Sequence, residues 1–373
     1  MGLNASALPD FPWDSLTPFV ERASAHPDGA INLSVGTPVD PTPAVIRDAL
    51  IAAADASGYP ATHGTAELRG AVAEWFARRR GVANVDPASV LPTVGSKELV
   101  GLLPSLLELG PGDVVAHPAV AYPTYDVGAR LAGATPLAAD GVADWQGNAA
   151  VKLVWVNSPS NPTGAVADVE ELRAIVEAAR AIGAVVASDE CYAELAWEEP
   201  WSSEGVPSIL DPRVCGDSHE GLLAVYSLSK QSNLAGYRAA FVAGDKAIVA
   251  RLLEVRKHIG MIMPSPVQAA MVAALGDEEH VTAQRSVYGG RRETLSGALA
   301  AAGFTIDDSA AGLYLWATRG EDAWTSVAWL AERGIVVAPG SFYGPRGAMH
   351  VRVALTASDA HIDAAALRLV NEQ

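Results

Sequence analysis

Apolar runs and amphipathic helical patterns alternate along the middle of the chain. Residues 151–157, VKLVWVN, are almost wholly apolar and predict a strand that is buried on both faces. Residues 168–183 repeat apolar side chains at helical spacing, with Asp168 as a predicted N-cap and Gly183 as the stop. Residues 184–188, AVVAS, predict the next strand. This strand–helix–strand order is typical of a mostly parallel α/β sheet.

The pattern changes toward the C-terminal part of the chain. Apolar runs at 221–227 and 239–244 predict two more strands, and a long helical pattern covers about 277–302. The segments GLYLWA and MHVRVAL that follow alternate apolar and other residues, as half-buried strands do.

These patterns predict two domains. A large α/β domain is expected over residues 41–276. A smaller α+β domain would be built from residues 1–40 and 277–373. A chain of 373 residues is long for one hydrophobic core, which favours this division.

Composition narrows the classes of function. Half of the residues are hydrophobic, and the net charge of −17 argues against nucleic acid or an anionic membrane as a partner. No apolar run of 18 residues occurs, and the N-terminal stretch lacks the basic and apolar regions of a signal peptide. Two isolated cysteines do not make a disulfide framework or a zinc site, so no metal is expected. A cytoplasmic protein is the simplest interpretation.

Candidate chemistry lies after the predicted strands, where open α/β sheets bind their ligands. In TVGSKELV (93–100), Gly95, Ser96 and Lys97 open a helix whose free N–H groups suit a phosphate. An ordinary capped helix would show the same pattern. In NSPSNPTGAV (157–166), Asn161 either points an amide at a ligand or belongs to a structural Asn-Pro turn.

Two further stretches carry ionisable groups. Asp189 ends a predicted strand in VVASDECYAEL, and Tyr192 follows three residues later. A carboxylate there needs a charged partner, or it caps a helix for about 1 kcal/mol. YSLSKQSNLAGYRAAF contains Ser227, Lys230 and Arg238. The chain has only five lysines against 21 arginines, so a lysine in this loop suggests amine chemistry, which arginine cannot perform. The alternative is an exposed lysine in a polar loop.

The order and spacing of these stretches resemble the class I and II aminotransferases, the fold-type-I family that uses pyridoxal 5′-phosphate. SLSKQSNLAGYR (227–238) is similar to the family's S-x-S-K-x7-R signature, with SNPTG and D-x-x-Y upstream in the expected order. VGTPVDP, YPATHGTAELR, AYPTY and HVRVAL also match the family's pattern. The resemblance covers nearly the whole chain, and it implies a fold-type-I transferase in which the large domain binds the cofactor.

The resemblance implies roles around the cofactor ring. Lys230 would form the Schiff base with the cofactor aldehyde and, once released, would carry the proton of the substrate's Cα. Asp189 would pair with the pyridine nitrogen and keep it protonated. Asn161 and Tyr192 would hydrogen-bond the ring's phenolic oxygen, and Tyr122 would stack on the ring face.

The resemblance also implies sites for the phosphate and the substrate. Arg352 would grip the substrate's α-carboxylate with a bidentate fork, unless it is a surface charge on an alternating strand. Gly36 and Asn161 would complete the substrate site. Tyr59 would reach across a homodimer to the neighbour's cofactor phosphate, unless it is buried at a turn. The phosphate ligands from the same chain would be Gly95, Ser96, Lys97, Ser227 and Arg238.

Two functional classes fit this resemblance: an enzyme acting on an amino acid, and a cofactor-binding sensor module joined to a DNA-binding domain. The lack of a basic N-terminal domain in this sequence favours the enzyme. LPDFPWDSL, LSVGTPVDPTP and VGSKELV resemble the N-succinyldiaminopimelate aminotransferases of lysine biosynthesis. That implies glutamate as donor and 2-oxoglutarate as its product. Aspartate- or alanine-type aminotransferases and C–S lyases are the alternatives. Arg285, Arg346, Ser265 and Lys97 are open candidates for binding a distal carboxylate.

Overall fold

A computed structural model of the chain describes residues 8–370. The first seven residues of the predicted 1–40 segment, and with them part of the stretch examined for a signal peptide, lie outside the described residues, as do residues 371–373. Across 8–370, no helix has both the length and the apolar character needed to cross a membrane.

The strands form one large sheet and two small ones. The large sheet has seven strands in the order β2-β8-β7-β6-β5-β3-β4, and only β8 runs antiparallel to its neighbours. The bounds are β1 (Ile31–Asn32), β2 (Val90–Val94), β3 (Val114–Pro118), β4 (Thr135–Ala139), β5 (Val151–Asn157), β6 (Val185–Asp189), β7 (Leu222–Ser227), β8 (Ala239–Gly244), β9 (Thr305–Asp307), β10 (Tyr314–Thr318), β11 (Ile335–Val336), β12 (Ala338–Pro339) and β13 (Val351–Ala354).

Helices cover both faces of the large sheet and pack around the small ones. Their bounds are α1 (Thr17–Ser24), α2 (Ala44–Ala52), α3 (Ala66–Arg80), α4 (Ser96–Leu106), α5 (Thr124–Ala132), α6 (Val169–Ile182), α7 (Trp201–Glu204), α8 (Pro212–Cys215), α9 (Lys246–Ile259), α10 (Ser265–Gly276), α11 (Glu279–Ala301), α12 (Ala323–Glu332) and α13 (Asp359–Val370).

The predicted α/β class with a mostly parallel central sheet is confirmed. Strand β5 is buried along nearly its whole length, as an apolar run between two helical layers must be. Helix α6 begins where the sequence predicts: Asp168 accepts hydrogen bonds from the first-turn amides, and the Glu171 carboxylate accepts one from the Asp168 amide. Gly183 ends the helix in the left-handed conformation, which glycine adopts without steric cost.

The C-terminal part is organised around a second, antiparallel sheet in the order β12-β13-β10-β9. The N-terminal segment joins it, since β1 pairs with β11 in parallel. In sequence, the long helix α11 lies between α10 and the strands of this second sheet. The domain bounds 41–276 and 1–40 plus 277–373 stay a prediction.

Candidate active site

A cavity of about 490 Å³ opens where β2, β5, β6 and β7 end. Parallel strands bring their carboxyl ends to one edge of the sheet, so four loops that are distant in sequence meet there. The predicted site residues that line this cavity are Gly36, Ser96, Lys97, Tyr122, Asn161, Asp189, Tyr192, Ser227, Lys230, Arg238 and Arg352.

Lys230 lies in the loop that follows β7. Its side chain is only half-buried, and its Nζ donates a very short hydrogen bond to the backbone oxygen of Gly36. The amine therefore faces the cavity, so the alternative of a lysine in an ordinary solvent-exposed loop is wrong.

Asp189 is the last residue of β6, and its carboxylate is buried at the floor of the cavity. Its Oδ2 accepts from the Tyr125 hydroxyl at 2.9 Å, and its Oδ1 accepts from the Cys191 amide at 3.3 Å. Burial raises the pKa of Asp189, and these hydrogen bonds only partly offset that effect. Residues 191–194 form turns, so the helix-cap alternative is wrong. No cation among residues 8–370 pairs with this carboxylate.

An anion cradle lies at the start of α4. Gly95 has a φ of +78°, and its amide donates to the Arg238 backbone oxygen at 2.8 Å. A Cβ at Gly95 would displace the Arg238 guanidinium, and the positive φ itself favours glycine at this position. The Ser227 and Ser229 hydroxyls lie 2.8 Å apart beside the free first-turn amides that begin at Ser96. Throughout the described chain, Arg238 has no carboxylate partner.

Arg352 forms a second cationic site. It is only 3% exposed, so the alternative of a surface charge is wrong. Its guanidinium donates to Asn161 Oδ1 at 2.9 Å and to the Ser34 backbone oxygen at 2.6 Å, and it lies 3.9 Å from the Tyr314 ring centroid. Its Nε is buried without a hydrogen-bond partner, and no acidic side chain within 8–370 pairs with it. A buried, partly unsatisfied arginine of this kind suits an incoming carboxylate.

Tyr192 and Tyr314 line the cavity next to the Arg352 guanidinium. The Tyr192 and Tyr314 hydroxyls lie 3.3 Å apart. Burial raises the pKa of Tyr192 well above its usual value. Burial also acts to raise the pKa of Tyr314, but the nearby Arg352 and Lys230 charges reverse that effect and lower it. A Cβ at position 36 would collide with the Tyr314 hydroxyl, which explains the glycine there.

The remaining predicted residues lie at the mouth or outside. The Tyr122 ring packs edge-on against Tyr125 at 6.0 Å between centroids, and Lys97 Nζ lies 5.8 Å from the Tyr122 ring. Tyr59 is fully exposed, so the alternative of a tyrosine buried at a turn is wrong.

The four candidates for binding a distal carboxylate differ in whether they line the cavity. Lys97 lines the cavity. Arg285 donates to two backbone oxygens elsewhere, Arg346 pairs with Asp140, and Ser265 begins α10 outside the lining.

Some residues that line the cavity were not predicted from the sequence, among them Tyr125, Cys191, Tyr314 and Trp13. Tyr125 stands in the quoted AYPTY motif, and Cys191 stands beside Asp189 in the quoted D-x-x-Y stretch. Tyr314 was visible only as an aromatic residue on a half-buried strand. Trp13 belongs to the N-terminal segment and packs on this chain's own Phe342 at 5.2 Å between ring centroids. Motif position was thus a usable signal for Tyr125, Cys191 and Trp13, which stands in the quoted LPDFPWDSL stretch, and not for Tyr314.

Comparison with known proteins identifies relatives along nearly the whole chain. A family model described as "Aminotransferase class I and II" matches residues 28–369. The 4-dedimethylamino-4-oxo-anhydrotetracycline transaminase OxyQ of Streptomyces rimosus is 57% identical over 97% of this chain and 99% of its own length. The "Probable aminotransferase Rv1178" of Mycobacterium tuberculosis is 58% identical over 99% of this chain and 86% of its own length.

A solved structure adds a similarity in fold. It is described as a probable N-succinyldiaminopimelate aminotransferase from Thermus thermophilus. It superposes with a TM-score of 0.84 at 31% identity, and the match covers 97% of this chain and 100% of that one.

Proposed function

This chain belongs to the class I and II aminotransferases, a pyridoxal-phosphate-dependent family, and we propose that it moves the amino group of glutamate onto the keto form of N-succinyl-LL-diaminopimelate, and back. The amino and keto acid chemistry belongs to the family. The particular substrate and the roles of individual residues are the proposal.

The residues present fit the cofactor. Asp189 is a buried carboxylate without a cation, at the floor of the cavity, where a protonated ring nitrogen would supply the missing charge. The cradle of Ser96, Ser227 and Arg238 offers amides, hydroxyls and an uncompensated cation to a phosphate that carries about −1.5 to −2 charge. Lys230 lines the same cavity as these two sites, and its amine contacts the Gly36 backbone oxygen there.

The cofactor supplies an electron sink that lets the Cα–H bond of an amino acid ionise. The chain's residues do the rest. Arg352 holds the substrate's α-carboxylate with Asn161 beside it, which fixes the orientation of Cα. Lys230 Nζ accepts the proton from Cα and returns it, and proton transfer of this kind is worth about 10²–10⁴-fold in rate. Asp189 would keep the ring nitrogen of the bound cofactor protonated, and Tyr122 would lie against the ring face.

The observation that carries the substrate proposal is the position of Lys97. Arg352 is committed to the α-carboxylate, while Lys230 and Arg238 serve the cofactor. Among the described residues of the cavity lining, Lys97 is then the remaining cation, and it lies at the exposed mouth near Tyr122. The family resemblance assigned it to the phosphate; we propose the distal carboxylate instead. A long substrate with a terminal carboxylate would reach it, whereas a short apolar amino acid would leave it unpaired. The solved structure from Thermus thermophilus supports the same substrate.

A second substrate class is favoured by a different observation. The Streptomyces rimosus relative is described as a transaminase of an anhydrotetracycline, which is a flat polycyclic ketone. Phe11, Trp13 and Tyr122 line the mouth of this cavity, and Phe11 is 59% exposed. Such aromatic side chains would stack on a planar substrate.

The substrate proposal is tested with a panel of amino compounds. We expect N-succinyl-LL-diaminopimelate, with 2-oxoglutarate as acceptor, to show a kcat/KM at least tenfold above those for aspartate and alanine. A hydrogen bond between the terminal carboxylate and the Lys97 ammonium, once the bound substrate covers it, would be worth about 1.5–3 kcal/mol, which is about tenfold or more. Lys97→Ala should lower kcat/KM for the succinylated substrate and leave alanine unaffected. A higher kcat/KM for aspartate, alanine or a polycyclic ketone would refute N-succinyl-LL-diaminopimelate as the substrate. The assignment to the aminotransferase family would still stand. Pyruvate released from cystathionine without an acceptor would indicate a C–S lyase.

A homodimer is the second part of the proposal. Tyr59 is fully exposed, and Val39 and Ile51, which are near it in sequence, are 56% and 67% exposed. Exposed apolar side chains of this kind are expected where a partly apolar interface is not covered by its partner. Tyr59 of one protomer would donate to the cofactor phosphate of the other. We therefore expect light scattering to show a dimer, and Tyr59→Phe to weaken cofactor affinity about tenfold, since a hydrogen bond to a charged group is worth about 1.5–3 kcal/mol. A fully active monomer would contradict this.

A further inference from the structure

Helix α11 carries a buried polar stripe whose purpose the reaction does not explain. His280, Gln284, Tyr288 and Arg291 follow one another at intervals of four, four and three residues, so they share one face of the helix. All four are buried. Polar side chains at such positions must be paired, and each of the four has a partner in one of two loops of the active site. His280 and Arg291 also pair with Asp277 and Asp359.

Gln284 contacts both loops through the two ends of its amide. Its Oε1 accepts from Asn233 Nδ2 at 2.8 Å, and its Nε2 donates to Asp40 Oδ2 at 3.0 Å. Asn233 lies three residues after Lys230, and Asp40 lies four residues after Gly36. Gln284 does not line the cavity, but it joins the same two segments that the Lys230–Gly36 hydrogen bond joins inside the cavity.

The other members of the stripe brace this bridge. Tyr288 donates to Asn233 Oδ1 at 3.3 Å, and the Arg291 guanidinium holds the two oxygens of Asp40 at 2.6 and 2.8 Å. Asn233 has a φ of +55°, a left-handed conformation that asparagine adopts more readily than most residues with a side chain.

One end of the stripe has the hydrogen-bond order of a hydrolase triad. Ser232 Oγ lies 2.8 Å from His280 Nε2, and His280 Nδ1 lies 2.6 Å from Asp277 Oδ2. Ser232 is wholly buried, so no substrate can reach it. These bonds therefore hold the Lys230 loop against α11 and make no nucleophile.

We propose that Gln284 is a positioning residue: by bridging Asn233 and Asp40, it sets the distance between the Lys230 loop and the Gly36 segment, and so places the lysine amine over the substrate's Cα. The inference rests on the proposed role of Lys230. A misplacement of about 1 Å at a reacting group costs about 10²-fold in rate, so a residue outside the cavity can control turnover in this way.

The chain offers a matched control. Gln268 on α10 is also buried and also bridges two segments, since it accepts from the Thr65 amide at 2.8 Å and donates to the Met263 oxygen at 2.8 Å. Gln284→Met and Gln268→Met each remove two hydrogen bonds and keep the volume. We expect similar losses in Tm for the two variants. Only Gln284→Met should lower kcat, by about 10–10²-fold, with KM for glutamate changed less than about threefold.

Hydrogen exchange of the cofactor-free protein provides a readout independent of activity. Gln284→Met should speed exchange in peptides covering 228–238 and 36–43, and Gln268→Met should not. If Gln284→Met does not fold, Gln284→Glu replaces it: its carboxylate still accepts from Asn233 but faces that of Asp40, so exchange should rise mainly at 36–43. Unchanged kcat and exchange, or equal kcat losses in both methionine variants, would overturn the proposal. If the Lys230 role fails instead, Lys230→Ala will be active while the exchange result stands.

Discussion

Lys230→Ala is expected to bind the cofactor and to lose turnover by about 10⁴-fold or more. The residues of the phosphate cradle and Asp189 remain in the variant, so non-covalent binding survives. What disappears is the amine that we propose holds the cofactor and moves the Cα proton. General acid–base catalysis alone accounts for about 10²–10⁴-fold, and the loss of the covalent attachment adds to it. Arginine cannot substitute, because its guanidinium stays protonated at any workable pH.

Borohydride reduction of the wild-type holoenzyme followed by peptide mapping identifies the attachment point. The label should appear on the peptide that contains residue 230. Lys246→Ala is the matched control, because Lys246 is exposed and pairs with Asp86 on the surface at 2.9 Å. That variant should keep full turnover and the label. Label on Lys97 or Lys246, or turnover by Lys230→Ala within tenfold of the wild type, would refute the assignment.

The parts of the site that the sequence predicted follow from local chemistry. A near-continuous apolar run must be a doubly covered strand, and parallel strands must bring their ends to one edge. The convergence of Gly95, Asn161, Asp189 and Lys230 was therefore predictable from four strands and their loops. The S-x-S-K stretch singled out Lys230, because a lysine is scarce in this chain and chemically distinct.

The missed contacts depend on packing between segments that are distant in sequence. Arg352 and Asn161 are 191 residues apart, and Lys230 and Gly36 are 194 apart. A strand pattern shows that Arg352 alternates with valines, but it does not show what lies opposite. The same holds for Gln284, whose helical spacing appears ordinary until its partners are known. The partner of such a side chain is set by tertiary contacts between distant segments, and the local sequence pattern does not encode it.

Asp189→Asn is expected to lower kcat by about 10²-fold or more, which is about 2.7 kcal/mol, while the cofactor-free protein becomes more stable at neutral pH. The activity falls because asparagine cannot keep the ring nitrogen protonated. It still offers an oxygen to Tyr125 or to the Cys191 amide, so the turn survives. A purely structural aspartate would leave activity near normal.

The sign of the stability change follows from the raised pKa of Asp189. A carboxyl group whose pKa is raised by folding contributes stability while it is protonated, below its unfolded-state pKa. That contribution is lost as the pH rises through the folded-state pKa. Neutral pH lies above the unfolded-state pKa, so the raised pKa of Asp189 opposes folding there, and asparagine removes this cost. The gain in Tm should shrink as the pH falls toward the range where Asp189 is protonated.

Adding the cofactor should make the wild type more stable than Asp189→Asn, which is the opposite of the order expected without the cofactor. If the ring nitrogen pairs with Asp189 as proposed, the cofactor should raise the Tm of the wild type more than that of Asp189→Asn. Asp211→Asn is the control, because Asp211 is also buried, caps α8 and pairs with Arg213 at 2.7 Å. It should lose stability with or without the cofactor and keep full activity. If Asp189→Asn behaved in the same way, Asp189 would be a structural residue and the proposed pairing with the ring nitrogen would be wrong.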